Sequence, residues 1–180
     1  MLTVLLGGAR SGKSALAAQA AAASGADVTF IATAEARDEE MAARIAEHRR
    51  DRPHQWVTVE APLQLERALA TVSDTGTVVV DCLTLWVANM IEVGASDAEV
   101  SKEASDLAAR AEQRRGLVVV VSNEVGSGLV PGEPLGRRYR DLLGAVNVIC
   151  ARQARAAYLV VAGLALALSP LHIATPGGPD

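Results

Sequence analysis

The segment GGARSGKS places glycines at 7 and 12, followed by Lys13 and Ser14, in the spacing G-x-x-x-x-G-K-[ST]. Glycines so spaced let consecutive backbone N–H groups turn inward on phosphate oxygens, and a helix opening at Lys13 adds the positive end of its dipole. The pattern assigns Gly7, Gly8, Ala9, Arg10, Ser11, Gly12, Lys13 and Ser14 to a nucleotide. Lys13 is then the cation that reaches the outer phosphates, and the Ser14 hydroxyl a ligand of Mg²⁺. Asp81 ends the apolar run TVVVD. A carboxylate there is expected to serve the same metal; a helix cap is the other reading of an aspartate in such a place.

A second cluster lies in EARDEEMAARIAEHRRDRP, Glu35–Pro53. At about 100° per residue, Met41, Ile45 and His48 share one helix face. His48 is therefore either a partly buried histidine completing an apolar stripe, or a nucleophile whose pKa the neighbouring Arg49, Arg50 and Arg52 hold down. Those arginines suit the helix dipole and a phosphate clamp equally. His54 and His172 have no comparable company. A third stretch, Ser122–Asn147, follows an apolar strand where ligand loops sit in open α/β sheets. In it Asn123 and Glu124 can serve a substrate. Arg137, Arg138 and Arg140 read evenly as contacts or as an exposed basic helix end.

Short β-branched runs alternate with Ala-rich stretches, so the elements that must position these groups are βαβ units. Strands are expected over 2–6, 28–33, 56–59, 77–81, 117–122 and 158–163. Helices are expected over 13–23, 38–50, 63–73, 83–90, 97–114 and 135–156. Runs such as VVVD and LVVVVS are apolar on both faces, as in a covered parallel sheet. The expectation is one domain over 1–168 and a Pro/Gly-rich tail over 169–180.

The chain has 180 residues, half of them hydrophobic and 21% charged, with a net charge of −4. That composition excludes disorder and collagen, and its acidity argues against nucleic acid as partner. Cys82 and Cys150 lie far apart without a Cys/His cluster, which argues against a disulfide framework or a zinc site. The apolar run Ala156–Leu168 is too short to span a bilayer. No basic stretch precedes LTVLL, so a secretory leader is not expected and a cytoplasmic protein is.

GGARSGKS, FIATAEARDEEMAARIAEHRRDRP, the strand end at Asp81 and NEVGSGLVP followed by RRYRDLLGAVN together resemble one family, from about Leu2 to Gly163. It is the bifunctional adenosylcobinamide kinase/adenosylcobinamide-phosphate guanylyltransferase family of adenosylcobalamin synthesis. The expected fold is an α/β P-loop NTPase of the RecA-like kind, three layers around a mostly parallel sheet. The resemblance implies phosphorylation of adenosylcobinamide by ATP or GTP. Transfer of GMP from GTP to adenosylcobinamide phosphate then follows through a guanylyl–histidine intermediate. The family pattern R-I-x-x-H-R-x-x-R-P reads Arg44, Ile45, His48, Arg49, Arg52 and Pro53 here, which makes His48 the implied nucleophile. Implied nucleotide contacts beyond the loop are Ala32, Thr33, Ala34, Arg49, Arg50, Asp51, Arg52, Glu60 and Asp81. Mg²⁺ or another divalent cation and a homo-oligomer, a trimer, are implied as well.

The chain departs from the family pattern in three places. Glu47 stands where some relatives have a second histidine, Asp81 where Glu is frequent, and Val148 where a Gln often follows Asn147. A plain small-molecule kinase and a regulatory nucleotide-binding switch are the competing functions. One domain leaves two reactions to share one phosphate loop or neighbouring surfaces. With so few aromatics (Phe30, Trp56, Trp86, Tyr139 and Tyr158), a site at a subunit interface is expected rather than an aromatic cage within one chain.

Overall fold

The valine runs form the middle of a seven-stranded sheet, where both faces are covered. The computed structural model describes residues 1–50 and 52–170. Asp51 and residues 171–180, with His172 and most of the expected tail, lie outside the described residues. In chain order the elements are β1 (Leu2–Gly7), α1 (Lys13–Ala23), β2 (Val28–Ala32), α2 (Glu39–Arg50), β3 (Val57–Glu60), α3 (Leu65–Ala70) and β4 (Thr77–Asp81). There follow α4 (Leu83–Glu92), α5 (Asp97–Gln113), β5 (Val118–Asn123), α6 (Pro134–Gln153), β6 (Ala156–Val161) and β7 (Leu164–Leu168). The sheet order is β3-β2-β4-β5-β1-β6-β7, parallel except for β7 against β6. One strand, β5, thus separates the strand that feeds the phosphate loop from the strand that ends at Asp81.

Two apolar layers flank the sheet. On one face Leu5, Val28, Phe30, Val79, Val119, Val121 and Val160 pack with Ala17 and Ala21 of α1. Small residues on that helix let it approach closely and bring its N-terminus over the strand ends. On the other face α3, α4, α5 and α6 bury leucines and Trp86 against Val4, Val78, Val80 and Val120. The Trp86 indole N–H, fully buried, donates to Leu63 O at 2.7 Å, so its one polar atom is satisfied. Among the described residues no helix is long and apolar enough to cross a membrane.

Four differences from the sequence expectation have physical causes. Helix α3 stops at Ala70, because the Thr71 and Val72 N–H groups close a tight turn on Ala68 O and Leu69 O. Helix α6 ends at Gln153 rather than Ala156, because the Arg155 N–H already pairs with Leu2 O at 2.9 Å and commits the chain to the sheet. The run after Val161 folds back as β7 through Ala162 and Gly163, at φ 51° and 79°, the left-handed pair of a primed hairpin turn. Finally, α2 does not bury the stripe expected of it. Met41 and Ile45 are half-buried, and His48 is exposed.

Candidate nucleotide site

Helix α1 begins at Lys13 with no side chain capping its first turn. In α5, by contrast, Ser96 and Glu99 form a reciprocal capping box. The first N–H groups of α1 are therefore left to an anion. Gly12 at φ 100° and Arg10 at φ 55° bend the loop around that end. Lys13 is only 6% exposed; its ammonium donates to Gly8 O at 2.5 Å and lies 3.3 Å from Ser11 Oγ. Burial pulls its pKa below the ordinary lysine value, with the Asp81 charge acting in the opposite direction.

The loop leans on the terminal hairpin. The Gly163 N–H donates to Ser11 O at 2.8 Å, and a Cβ on Gly12 would lie 3.0 Å from Gly163 Cα. Tighter still, a Cβ on Gly7 (φ 154°) would stand 2.3 Å from the Val160 carbonyl oxygen, which is backbone and cannot step aside. Gly7→Ala is accordingly expected to cost about 1–3 kcal/mol of stability and to weaken nucleotide binding. Urea unfolding midpoints check the first effect; an unchanged midpoint would show that β6 can move.

Across the strand ends, Asp81 is half-buried, and its carboxylate has no hydrogen-bond partner among the described residues. Arg52 lays its guanidinium 3.4 Å from the centroid of the Phe30 ring. Its NH1 is buried without a partner among the described residues. Burial works against the Arg52 charge, Asp81 supports it and Arg49 opposes it. A half-buried cation with one buried donor unused among the described residues is a place for an anion. Arg49 forms an exposed ion pair with Glu60, so two expected nucleotide contacts meet each other. Arg50 is exposed and reaches only Ala46 O, at 3.4 Å. Thr33 is wholly buried, with its hydroxyl exchanging hydrogen bonds with Cys82 N and O, each at 2.8 Å, which ties β2 to β4. Its neighbours Ala32 and Ala34 are half-buried at the same edge, and the Ala32 carbonyl accepts from Ala61 N at 2.8 Å.

The late loop resolves its two readings differently for different residues. Arg137 holds Pro131 O and Gly132 O, Arg138 holds Asp97 and Ala95 O, and Arg140 pairs with Asp141. These arginines brace the loop and the start of α6. The Glu124 carboxylate accepts from Gly126 N, Ser127 N and the Ser127 hydroxyl. Sequence reasoning did not find Phe30 beneath Arg52, the Val160 carbonyl against Gly7, or the hairpin turn at Ser11. For the last a signal existed, the Ala162–Gly163 pair between YLVV and LALAL.

Ser14 Oγ and Asp81 are hard oxygen donors, and neither makes a side-chain hydrogen bond among the described residues. No group of three or more His, Cys, Asp or Glu side chains converges among those residues. That donor set fits Mg²⁺, which takes one or two protein oxygens and draws the rest from phosphates and water. The Cys82 thiol is pushed up to about 11 by burial and then by the Asp81 charge, and it remains a protonated neighbour.

The model of the cobinamide kinase/cobinamide phosphate guanyltransferase family matches residues 3–168. The bifunctional adenosylcobalamin biosynthesis protein CobP of Pseudomonas aeruginosa is 43% identical over 169 residues, covering 93% of this chain and 97% of that protein. CobU of Escherichia coli, of the same description, is 36% identical over 177 residues, covering 91% and 97%. Among solved structures the RadB recombinase superposes with a TM-score of 0.52 at 20% identity, covering 88% of this chain and 73% of that one, which shows the fold alone. An uncapped phosphate loop on a RecA-like sheet, and a family match over nearly the whole chain, lead to one assignment: the chain belongs to the cobinamide kinase/cobinamide phosphate guanyltransferase family.

Proposed function

We propose that the chain phosphorylates adenosylcobinamide with ATP or GTP and then converts adenosylcobinamide phosphate to adenosylcobinamide-GDP with GTP. The observation that carries this reading is the phosphate seat of Gly7–Ser14, facing Asp81 and an Arg52 donor that has no partner among the described residues. In the first reaction the acceptor hydroxyl oxygen attacks the γ-phosphorus and releases its proton to water, the bond to the β-phosphate oxygen breaks, and the nucleoside diphosphate leaves. Lys13 and the α1 N–H groups neutralise charge on the departing phosphates.

In the second reaction an imidazole nitrogen of His48 attacks the α-phosphorus of GTP. The α–β bond breaks and pyrophosphate leaves, followed by attack of the cobinamide phosphate oxygen on the same phosphorus to break the P–N bond and free His48. The exposure of His48 at the end of α2 supports this role, since a nucleophile that meets two substrates in turn must be reachable. Arg49, Arg52, Glu60 and the Ala32–Ala34 edge hold the nucleotide. Ser14 and Asp81 would hold Mg²⁺, which would supply charge neutralisation at the phosphates when bound. The apolar, exposed Leu164, Leu166 and Leu168 of β7 support a homo-oligomer, the trimer of the family resemblance.

Parallel incubations with α- and γ-labelled GTP test the scheme. An acid-labile protein adduct that keeps the α label, and a γ-labelled cobinamide product, are expected. Product without any α adduct would leave a kinase alone.

A further inference from the structure

Three elements meet on the backbone of Asn123 and Glu124. Its N–H donates to Thr84 Oγ1 of α4 at 2.8 Å, and its carbonyl accepts from Asn147 Nδ2 of α6 at 2.9 Å. The next N–H, of Glu124, donates to Gly7 O at 3.1 Å. Thr84 and Asn147 are both buried. A hydroxyl and a carboxamide in an apolar layer are costly unless their hydrogen bonds are made. The Thr84 hydroxyl and the Asn147 amide N–H are both used on this stretch of backbone, while Asn147 Oδ1 is buried without a partner among the described residues, and what the two bonds fix is the direction of one side chain.

Strand alternation gives the direction. Leu5, Val79, Val119 and Val121 pack on the α1 face, so the positions two further along each strand point the same way. Those positions are Gly7, Asp81 and Asn123. Register sets Asn123 opposite Gly7, while Asp81 is level with Val121. The carboxamide thus rises from the strand between the phosphate loop and the Asp81 carboxylate, on the side where α1 opens with Lys13 and Ser14. Unlike the Glu124 carboxylate, it has no hydrogen-bond partner among the described residues and is half-buried.

We propose that Asn123 is a catalytic residue that hydrogen-bonds the terminal phosphate of a nucleoside triphosphate seated on Gly7–Ser14, its Nδ2 donating to a γ-phosphate oxygen. The contact tells triphosphate from diphosphate and steadies the γ-phosphorus for transfer. This rests on the nucleotide reading of the loop given above. A backbone pinned at three points loses little further freedom when the ligand arrives, so the contact is pre-organised.

Calorimetric titration of the full chain with a non-hydrolysable ATP analogue and with ADP, both with magnesium, tests the assignment. In Asn123→Ala the analogue is expected to bind about fivefold or more weaker, and ADP within about twofold of wild type. Asn123→Asp is expected to lose more of the analogue's affinity, because a carboxylate offers no donor and repels the phosphate. In cobinamide phosphorylation the kcat of Asn123→Ala falls while the KM for cobinamide holds. Equal weakening of both nucleotides, or of neither, in variants whose thermal midpoints match wild type would overturn the proposal. A wild-type chain that binds neither nucleotide sinks this proposal together with the loop reading. One that prefers the analogue over ADP but leaves cobinamide untouched sinks only the activity, and the Asn123 comparison still decides.

Discussion

His48→Ala is expected to retain no α-phosphate label after incubation with GTP and to lose guanylyl transfer by at least about a thousandfold, while cobinamide phosphorylation continues near the wild-type rate. The size of the loss follows from the chemistry. On the proposed scheme, without the imidazole no P–N bond forms, and the cobinamide phosphate has no guanylyl donor to attack. The neighbours leave no substitute. His54 lies beyond Pro53, and Arg49 and Arg50 offer planar, delocalised guanidinium groups that suit phosphate binding rather than attack. Because α2 is largely exposed, the substitution is expected to leave the thermal midpoint in place. Autoradiography of acid- and base-treated protein reads the adduct. A labelled adduct that survives in His48→Ala would move the nucleophile elsewhere.

Lys13→Met is expected to lose both reactions together, by on the order of a hundredfold to a thousandfold each, as expected for removal of a charge aimed at the departing phosphates. Its stability should move the other way. Lys13 is buried, and its folded-state pKa is held below the ordinary lysine value, first by desolvation. A base with a lowered folded pKa weakens the fold at every pH below that value, and the penalty fades as pH rises from there towards 10.5. At neutral pH the methionine variant, free of that penalty, should melt no lower than wild type. The gap between the two should narrow under alkaline conditions. Thermal melts at several pH values alongside nucleotide titrations separate the roles; a variant that is inactive and also markedly less stable would mean that Lys13 acts mainly by holding the loop through Gly8 O.

The phosphate loop was legible because its chemistry is local. A strand, two glycines, a lysine and a helix start at fixed spacing form the same nest wherever they fold, and α1 runs from Lys13 to Ala23 as the sequence expects. The strands of unbroken valine were legible because only a covered sheet tolerates them. His48 was harder. A 100° projection says which residues share a face of α2, but not whether anything packs on that face, and here nothing buries the histidine. The partners of the late arginines were hidden for a related reason. Asp97 and Ala95 O reach Arg138 across some forty residues of chain, and no local spacing encodes such a meeting. Asn147 was read through its departure from a family pattern at Val148, whereas its own carboxamide is tied to the Asn123 carbonyl.

The hairpin beneath the phosphate loop sets an order of events during synthesis. β1 and the glycines leave the ribosome before β5 and β6, yet β1 gains its neighbours only when those strands have been made. The turn at Ala162–Gly163 that carries Ser11 is later still. Contacts so distant in sequence form late in folding. A nascent chain therefore has the motif long before it has a seat for phosphate, and a nucleotide cannot act as an early template for the fold. Ligand binding instead rewards finished molecules, so the completed fold is the form that a bound nucleotide protects.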